Sequence, residues 1–238
     1  MAMGIVGNAS LDRVDGASPR IGGGPYHAGR ALRLLSTPGS ILARCADADR
    51  RFVLPRLAAL GIPLRILEGK ATAAFSFTYD GDVRTMTVDG IGDPWTPEDA
   101  RALDRRARWL HIAPLLRSDF PTETLAAFAR GRRLLFDGQG LVRRPELGPL
   151  QLDADFDPAV LGGVEGLGVA EIVVTLGSRG SIVYAGGVEV HVPARPLPRD
   201  PTGAGDAFAT AYLAGRAAGH APAAAARRAT AVVGAILR

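Results

Sequence analysis

The chain has 238 residues, 47% hydrophobic and 22% charged, which suits one soluble globular domain with a sizeable core. Its net charge of +4 rests on 28 basic residues, of which Lys70 is the sole lysine. The arginines are scattered, with pairs such as Arg105-Arg106 and Arg132-Arg133 but no basic block interleaved with aromatics, so a nucleic-acid partner is not expected. No apolar run reaches the length of a membrane span, and Met1 to Asn8 lacks the pattern of a secretory signal. The lone cysteine, Cys45, lies in an apolar stretch and cannot close an internal disulfide, so a core role and a cytoplasmic location are the expectation.

Short strands and helices alternate along most of the chain. Gly4 to Asn8 reads as a strand, His27 to Leu35 as a helix, Ser40 to Cys45 as a strand and Asp49 to Leu60 as a helix stopped by Gly61. Ala73 to Val88 breaks the pattern, alternating around Asp80-Gly81, a hairpin turn signal. It is either a small β lid spanning roughly residues 71–90 or an antiparallel edge of the main sheet. Trp109 to Ala113 and Arg133 to Phe136 read as strands with a helix over Thr122 to Ala129 between them, and Glu171 to Leu176 as a β-branched strand. The fold class is therefore α/β: a three-layer αβα sandwich with a mostly parallel sheet. Ligands of such sheets sit beyond the carboxyl ends of the strands, where Gly138 and Gly177 fall.

The run Asp200-Pro201-Thr202-Gly203-Ala204-Gly205-Asp206-Ala207-Phe208 carries the most chemistry. It opens a small apolar helix, with Thr202 expected as the N-cap. The first N–H groups of that helix have no internal partner and form a cradle for a phosphate, bared by Gly203 and Gly205. Asp206 stands beside the cradle, where a carboxylate is of use for taking a proton from an attacking hydroxyl. Three other clusters follow turns. Gly22-Gly23-Gly24-Pro25-Tyr26-His27 precedes a helix, Val174-Thr175-Leu176-Gly177-Ser178-Arg179-Gly180 follows a strand, and so does Phe136-Asp137-Gly138-Gln139-Gly140, with Arg143 accompanying it. A phosphate-loop motif ending at Lys70 is excluded by Leu64 and Ala71, and no dinucleotide fingerprint follows the first strand. The histidines at 27, 111, 191 and 220 lie far apart in sequence with no second ligand nearby, so a zinc site is not expected.

The Gly203 to Asp206 run resembles the C-terminal signature of the ribokinase-like (PfkB type) carbohydrate kinases, and the Gly22-Gly23 run resembles their N-terminal signature. The resemblance implies a ribokinase-like fold and ATP-dependent phosphorylation of a hydroxyl on a sugar or sugar-like alcohol. It assigns Asp206 as the base, with Gly203, Ala204 and Gly205 as the anion hole. Thr175, Gly177, Arg179 and Gly180 hold the nucleotide. Asp12, Gly22, Gly23, His27 and Asp137 serve the acceptor side, with Asp15 competing with Asp12. Asp200 and Thr202 match positions that ligate a monovalent cation such as K⁺ in some relatives. A homodimer through the β lid is a further implication.

Two departures stand out. His27 occupies the position of the signature's usual Asn. The family's Asn-x-x-Glu motif, which organises the water shell of Mg²⁺, is missing, because the only asparagine, Asn8, is followed at the third position by Leu11. Residues 138–170 are too few for the additional strand and helices found there in full-length relatives, and the chain stops early at Arg238, as in a compact or internally deleted member. Mg²⁺ is then expected to arrive bridged by the ATP phosphates. Two alternatives stay open: an impaired relative that binds nucleotide or sugar as a sensor or scaffold, and a nucleoside kinase on the same fold.

Overall fold

The computed structural model describes residues 2–80, 83–153, 169–195 and 202–237. Strand β1 (Ala2–Asn8) leads into a short pair, β2 (Ser10–Val14) and β3 (Arg20–Gly22). Helix α1 (Gly24–Leu34), β4 (Gly39–Ala46), α2 (Asp47–Ala58) and β5 (Leu64–Gly69) follow. Next come the hairpin β6 (Ala73–Asp80) and β7 (Val83–Gly90), then β8 (Ala107–Ile112), α3 (Thr122–Ala129), β9 (Arg133–Phe136), α4 (Gln139–Val142) and β10 (Gly148–Pro149). The described chain ends with β11 (Glu171–Thr175), β12 (Ser181–Ala185), β13 (Val188–Val192), α5 (Ala204–Ala217) and α6 (Pro222–Ile236).

The central sheet has the order β5-β4-β1-β8-β9 and is parallel throughout. β1 and β4 are buried on both faces, as continuous apolar runs such as Ile41 to Ala43 require. One face carries α1, α2 and α5, whose Leu32, Val53, Leu57 and Leu213 pack on Ile5 and Ile41. The other carries α3 and a 3-10 turn at Pro97–Ala102, where Trp95, Phe120 and Phe128 pack on Val6, Leu110 and Ile112. Trp95 stacks on Phe120 with centroids 5.5 Å apart and donates its indole N–H to Asn8 Oδ1 at 3.0 Å. The single asparagine is thus committed to the core.

The hairpin does not extend the central sheet. It belongs to a second sheet of order β10-β7-β6-β2-β3, which decides for the lid. Two expectations are corrected. The 171–176 strand pairs antiparallel with β12 in a small sheet, β11-β12-β13, and not with the parallel sheet. Its β-branched side chains satisfy any strand, and the turn at Gly177–Gly180 offers it a partner only a few residues away, with Val173 opposite Val183. The N-cap of α5 is Gly203 and not Thr202: Gly203 takes a left-handed conformation (φ 78°), and no side chain caps the helix. Cys45 is buried, and burial pushes its thiol pKa up. Among the described residues, no helix is long and apolar enough to cross a membrane.

Candidate active site

The carboxyl ends of β1 and β8, the N-termini of α1 and α5, and the lid meet at one cavity. Asp12, His27, Gly203, Asp206 and Arg143 line it, with Phe75, Phe77 and Met86 of the lid forming an apolar roof. The α5 end is built for close approach. The first intrahelical bond runs from the Ala207 N–H to the Gly203 carbonyl at 3.0 Å, so the N–H groups of Ala204, Gly205 and Asp206 have no acceptor within the helix. A Cβ on Gly203 would strike the His27 ring, and φ there is already one that side chains avoid. A Cβ on Gly24 would strike the Ala113 side chain and lie 3.2 Å from Asp206 Oδ1, so the first turn of α1 packs closely against both.

Asp206 is thereby enclosed. Burial pushes its pKa up to about 8, the charges of Asp137 and Asp12 push the same way, and Arg143 opposes them. Asp12 is buried on β2 and accepts a hydrogen bond from Ser10 Oγ at 2.7 Å. Its competitor Asp15 is exposed and accepts the Tyr79 N–H at 3.2 Å, a turn contact away from the cavity. Gly22 is buried beside Asp12, whose carboxylate occupies the space a Cβ would need. Thr202 lines the cavity and its Oγ1 lies 3.3 Å from the Tyr79 hydroxyl, linking lid to α5. Asp200 lies outside the described residues.

The predicted donor residues stand apart from this cavity. Thr175, Gly177 and Arg179 are exposed at the end of β11, and none of them lines it. Gly180 is buried with φ 99°, and the Val192 carbonyl fills the place of its Cβ, so its freedom serves the packing of the small sheet.

Sequence reasoning passed over two residues. Gln139, which lines the cavity, holds Asp137 through its backbone N–H at 2.9 Å and its side-chain Nε2 at 3.1 Å. The other is His111. The expectation that no second ligand accompanies any histidine is wrong here, because Asp137 and Asp206 each place a carboxylate oxygen within 4.8 Å of a ring nitrogen of His111 and of each other. Sequence distance misled, since the parallel topology brings residues 111, 137 and 206 to one end of the sheet. A histidine inside the apolar run Trp109 to Ala113 was the available signal.

Comparisons with known proteins bear on the fold. Residues 159–238 match the model of the pfkB family carbohydrate kinases. A pyrophosphate-dependent kinase in the ribokinase family, complexed with a pyrophosphate analog and myo-inositol, superposes with a TM-score of 0.85 at 22% identity, over 100% of this chain and 95% of that one. The chain has the ribokinase fold. A putative ribokinase II from E. coli, in complex with ATP and Mg²⁺, gives 0.67 at 20% identity, over 99% and 93%. A Burkholderia thailandensis nucleoside kinase in complex with inosine gives 0.69 at 19% identity, over 97% and 89%. No curated protein sequence matches the chain. The ribokinase-like resemblance and the β lid are both borne out.

Proposed function

We propose that this ribokinase-fold chain transfers a phosphoryl group to a hydroxyl of a sugar or cyclitol. The observation that carries the reading is the placing of the Asp206 carboxylate at the cavity, in the same first turn as three N–H groups that have no acceptor within α5. Asp206 takes the proton of the acceptor hydroxyl as its oxygen attacks. The N–H groups of Ala204, Gly205 and Asp206 stabilise charge on the transferring phosphoryl oxygens, and Gly203 sets their direction. A polyol has polar edges and apolar C–H faces. Asp12 and His27 suit its hydroxyls, while Phe75 and Phe77 suit its faces.

ATP is the donor implied by the signature, held at the β11 end by Thr175, Gly177 and Arg179. The pyrophosphate-dependent kinase of similar fold favours a second reading, in which pyrophosphate serves as donor. In either case Mg²⁺ arriving with the donor would supply charge neutralisation. The Asp200–Thr202 pair belongs to the same reading, as the seat of a monovalent cation.

The test is a matrix of donors and acceptors: ATP and pyrophosphate, each with Mg²⁺ and K⁺, against sugars, myo-inositol and inosine. The expected result is acceptor-dependent phosphoryl transfer from one donor, at least about 10²-fold slower in Asp206→Asn, with donor affinity nearly unchanged. Undiminished turnover in that variant would remove Asp206 from its role. No acceptor-dependent transfer from either donor would turn the reading toward a binding protein.

A further inference from the structure

His111 is fully buried near the carboxyl end of β8, on the face turned toward α5. Its Nδ1 lies 2.9 Å from Thr210 Oγ1, and its Nε2 has no hydrogen-bond partner among the described residues. A buried ring nitrogen without a partner is costly unless something occupies the space beside it. The Asp137 and Asp206 carboxylates share its surroundings within 4.8 Å. Each outer contact is of the kind that orients a ligand: Thr210 fixes the imidazole, and Gln139 fixes Asp137 through two bonds.

We infer that His111, Asp137 and Asp206 form a binding site for a divalent transition-metal ion of the Zn²⁺, Mn²⁺ or Co²⁺ class. One imidazole with two carboxylates is a donor set suited to these ions, whereas Mg²⁺ sheds water reluctantly and prefers oxygen alone. The ion enters from the cavity that Asp206 lines, and Asp206 releases its proton to solvent as it ligates. Occupation uses the carboxylate that the kinase reading assigns as base, so a bound ion and a deprotonating Asp206 exclude each other. Binding itself does not depend on that reading.

The probes are Co²⁺ and Mn²⁺ added to the full-length chain after chelator treatment, without donor or acceptor. Co²⁺ should saturate at one equivalent with visible ligand-field bands. His111→Gln should weaken its binding at least about 100-fold, and Thr210→Val, which only removes the support of the ring, about 10-fold. Pulsed EPR of Mn²⁺ in the wild type should show coupling to an imidazole nitrogen, a readout that stands even if a variant fails to fold. Absence of saturable binding, a bound ion without nitrogen coupling, or unchanged affinity in folded His111→Gln would each overturn the inference. Because turnover is not measured, a failed kinase assay leaves the outcome intact.

Discussion

At Asp206, burial and two neighbouring carboxylates act in one direction, placing its pKa at about 8. A base with that pKa is mostly protonated at pH 6. With Mg²⁺ as the sole divalent ion, kcat/KM should therefore climb about tenfold per pH unit below pH 8 and level off above it. Asp137→Asn removes the largest charge contribution, so it should move the inflection to lower pH. An inflection that stays put would assign the titration to another group. The same displacement bears on stability. The folded pKa lies above the ordinary 3.8, so between about pH 4 and 8 the folded chain holds a proton that the unfolded chain has released. The stabilisation is full below the unfolded pKa and is lost as pH rises through the folded one. Asp206→Asn is neutral throughout, so it should melt several degrees above wild type at about pH 8.5 and level with it at about pH 4. Melts in EDTA decide this, and an equal offset at both pH values would mean that the carboxyl is not held neutral by its surroundings.

Helix α5 carries the cradle at one end and is tied to β11 near the other. Glu171 accepts the Tyr212 hydroxyl at 2.6 Å and two nitrogens of Arg216, at 2.6 and 2.9 Å, in a partly buried cluster. Burial raises the Glu171 pKa, but the hydrogen bonds from Arg216 and Tyr212, with the charges of Arg216 and Arg133, outweigh it and leave a net lowering. Its stabilisation is therefore present above the ordinary 4.5 and lost as pH falls through the lowered folded value. Glu171→Gln should cost about 1–3 kcal/mol at neutral pH in denaturant melts and much less at about pH 3. A cost that ignores pH would mean packing, not charge, joins these elements. The tie also shows where sequence reading stops. Four of the five parallel strands were legible as short apolar runs between turns, and α3 and the hairpin from their local pattern, whereas β5 (Leu64–Gly69) was not read as a strand. Asp206, Asp12 and His27 drew notice because glycines punctuate the helix and strand ends beside them. The pairing of β11 was not, since a β-branched run is compatible with either sheet. His111 was missed because only the parallel crossovers bring it to Asp137 and Asp206. The separation of Thr175 and Arg179 from the cavity was likewise invisible, as a glycine-rich turn looks the same whether it holds a ligand or only reverses the chain.

The site as a whole lies between separately built parts, with the central sheet and helices supplying its floor and the lid its roof. Phe75, Phe77 and Met86 of the lid pack with Leu115 and Leu116 from the segment after β8, so the roof is held down by apolar contact, with the Tyr79–Thr202 hydroxyl pair at its margin. Under the proposed function the aromatic faces and the polar floor hold the acceptor jointly, and the cradle on α5 is the part turned to the donor. Phe77 is 5% exposed and lines the cavity, so it packs the lid down and, under the proposed function, also faces the acceptor. Phe77→Leu keeps the residue apolar and costs about 1 kcal/mol of stability, little enough to leave the fold intact. It removes the flat face presented to the acceptor's C–H groups. The expected kinetic signature is an acceptor KM raised about tenfold, with donor KM within twofold of wild type. Steady-state kinetics with each substrate varied in turn separates the two. A donor KM raised as much as that of the acceptor would show that the lid closes over both, and the division of the site into a lid-gripped acceptor and a helix-held donor would fail.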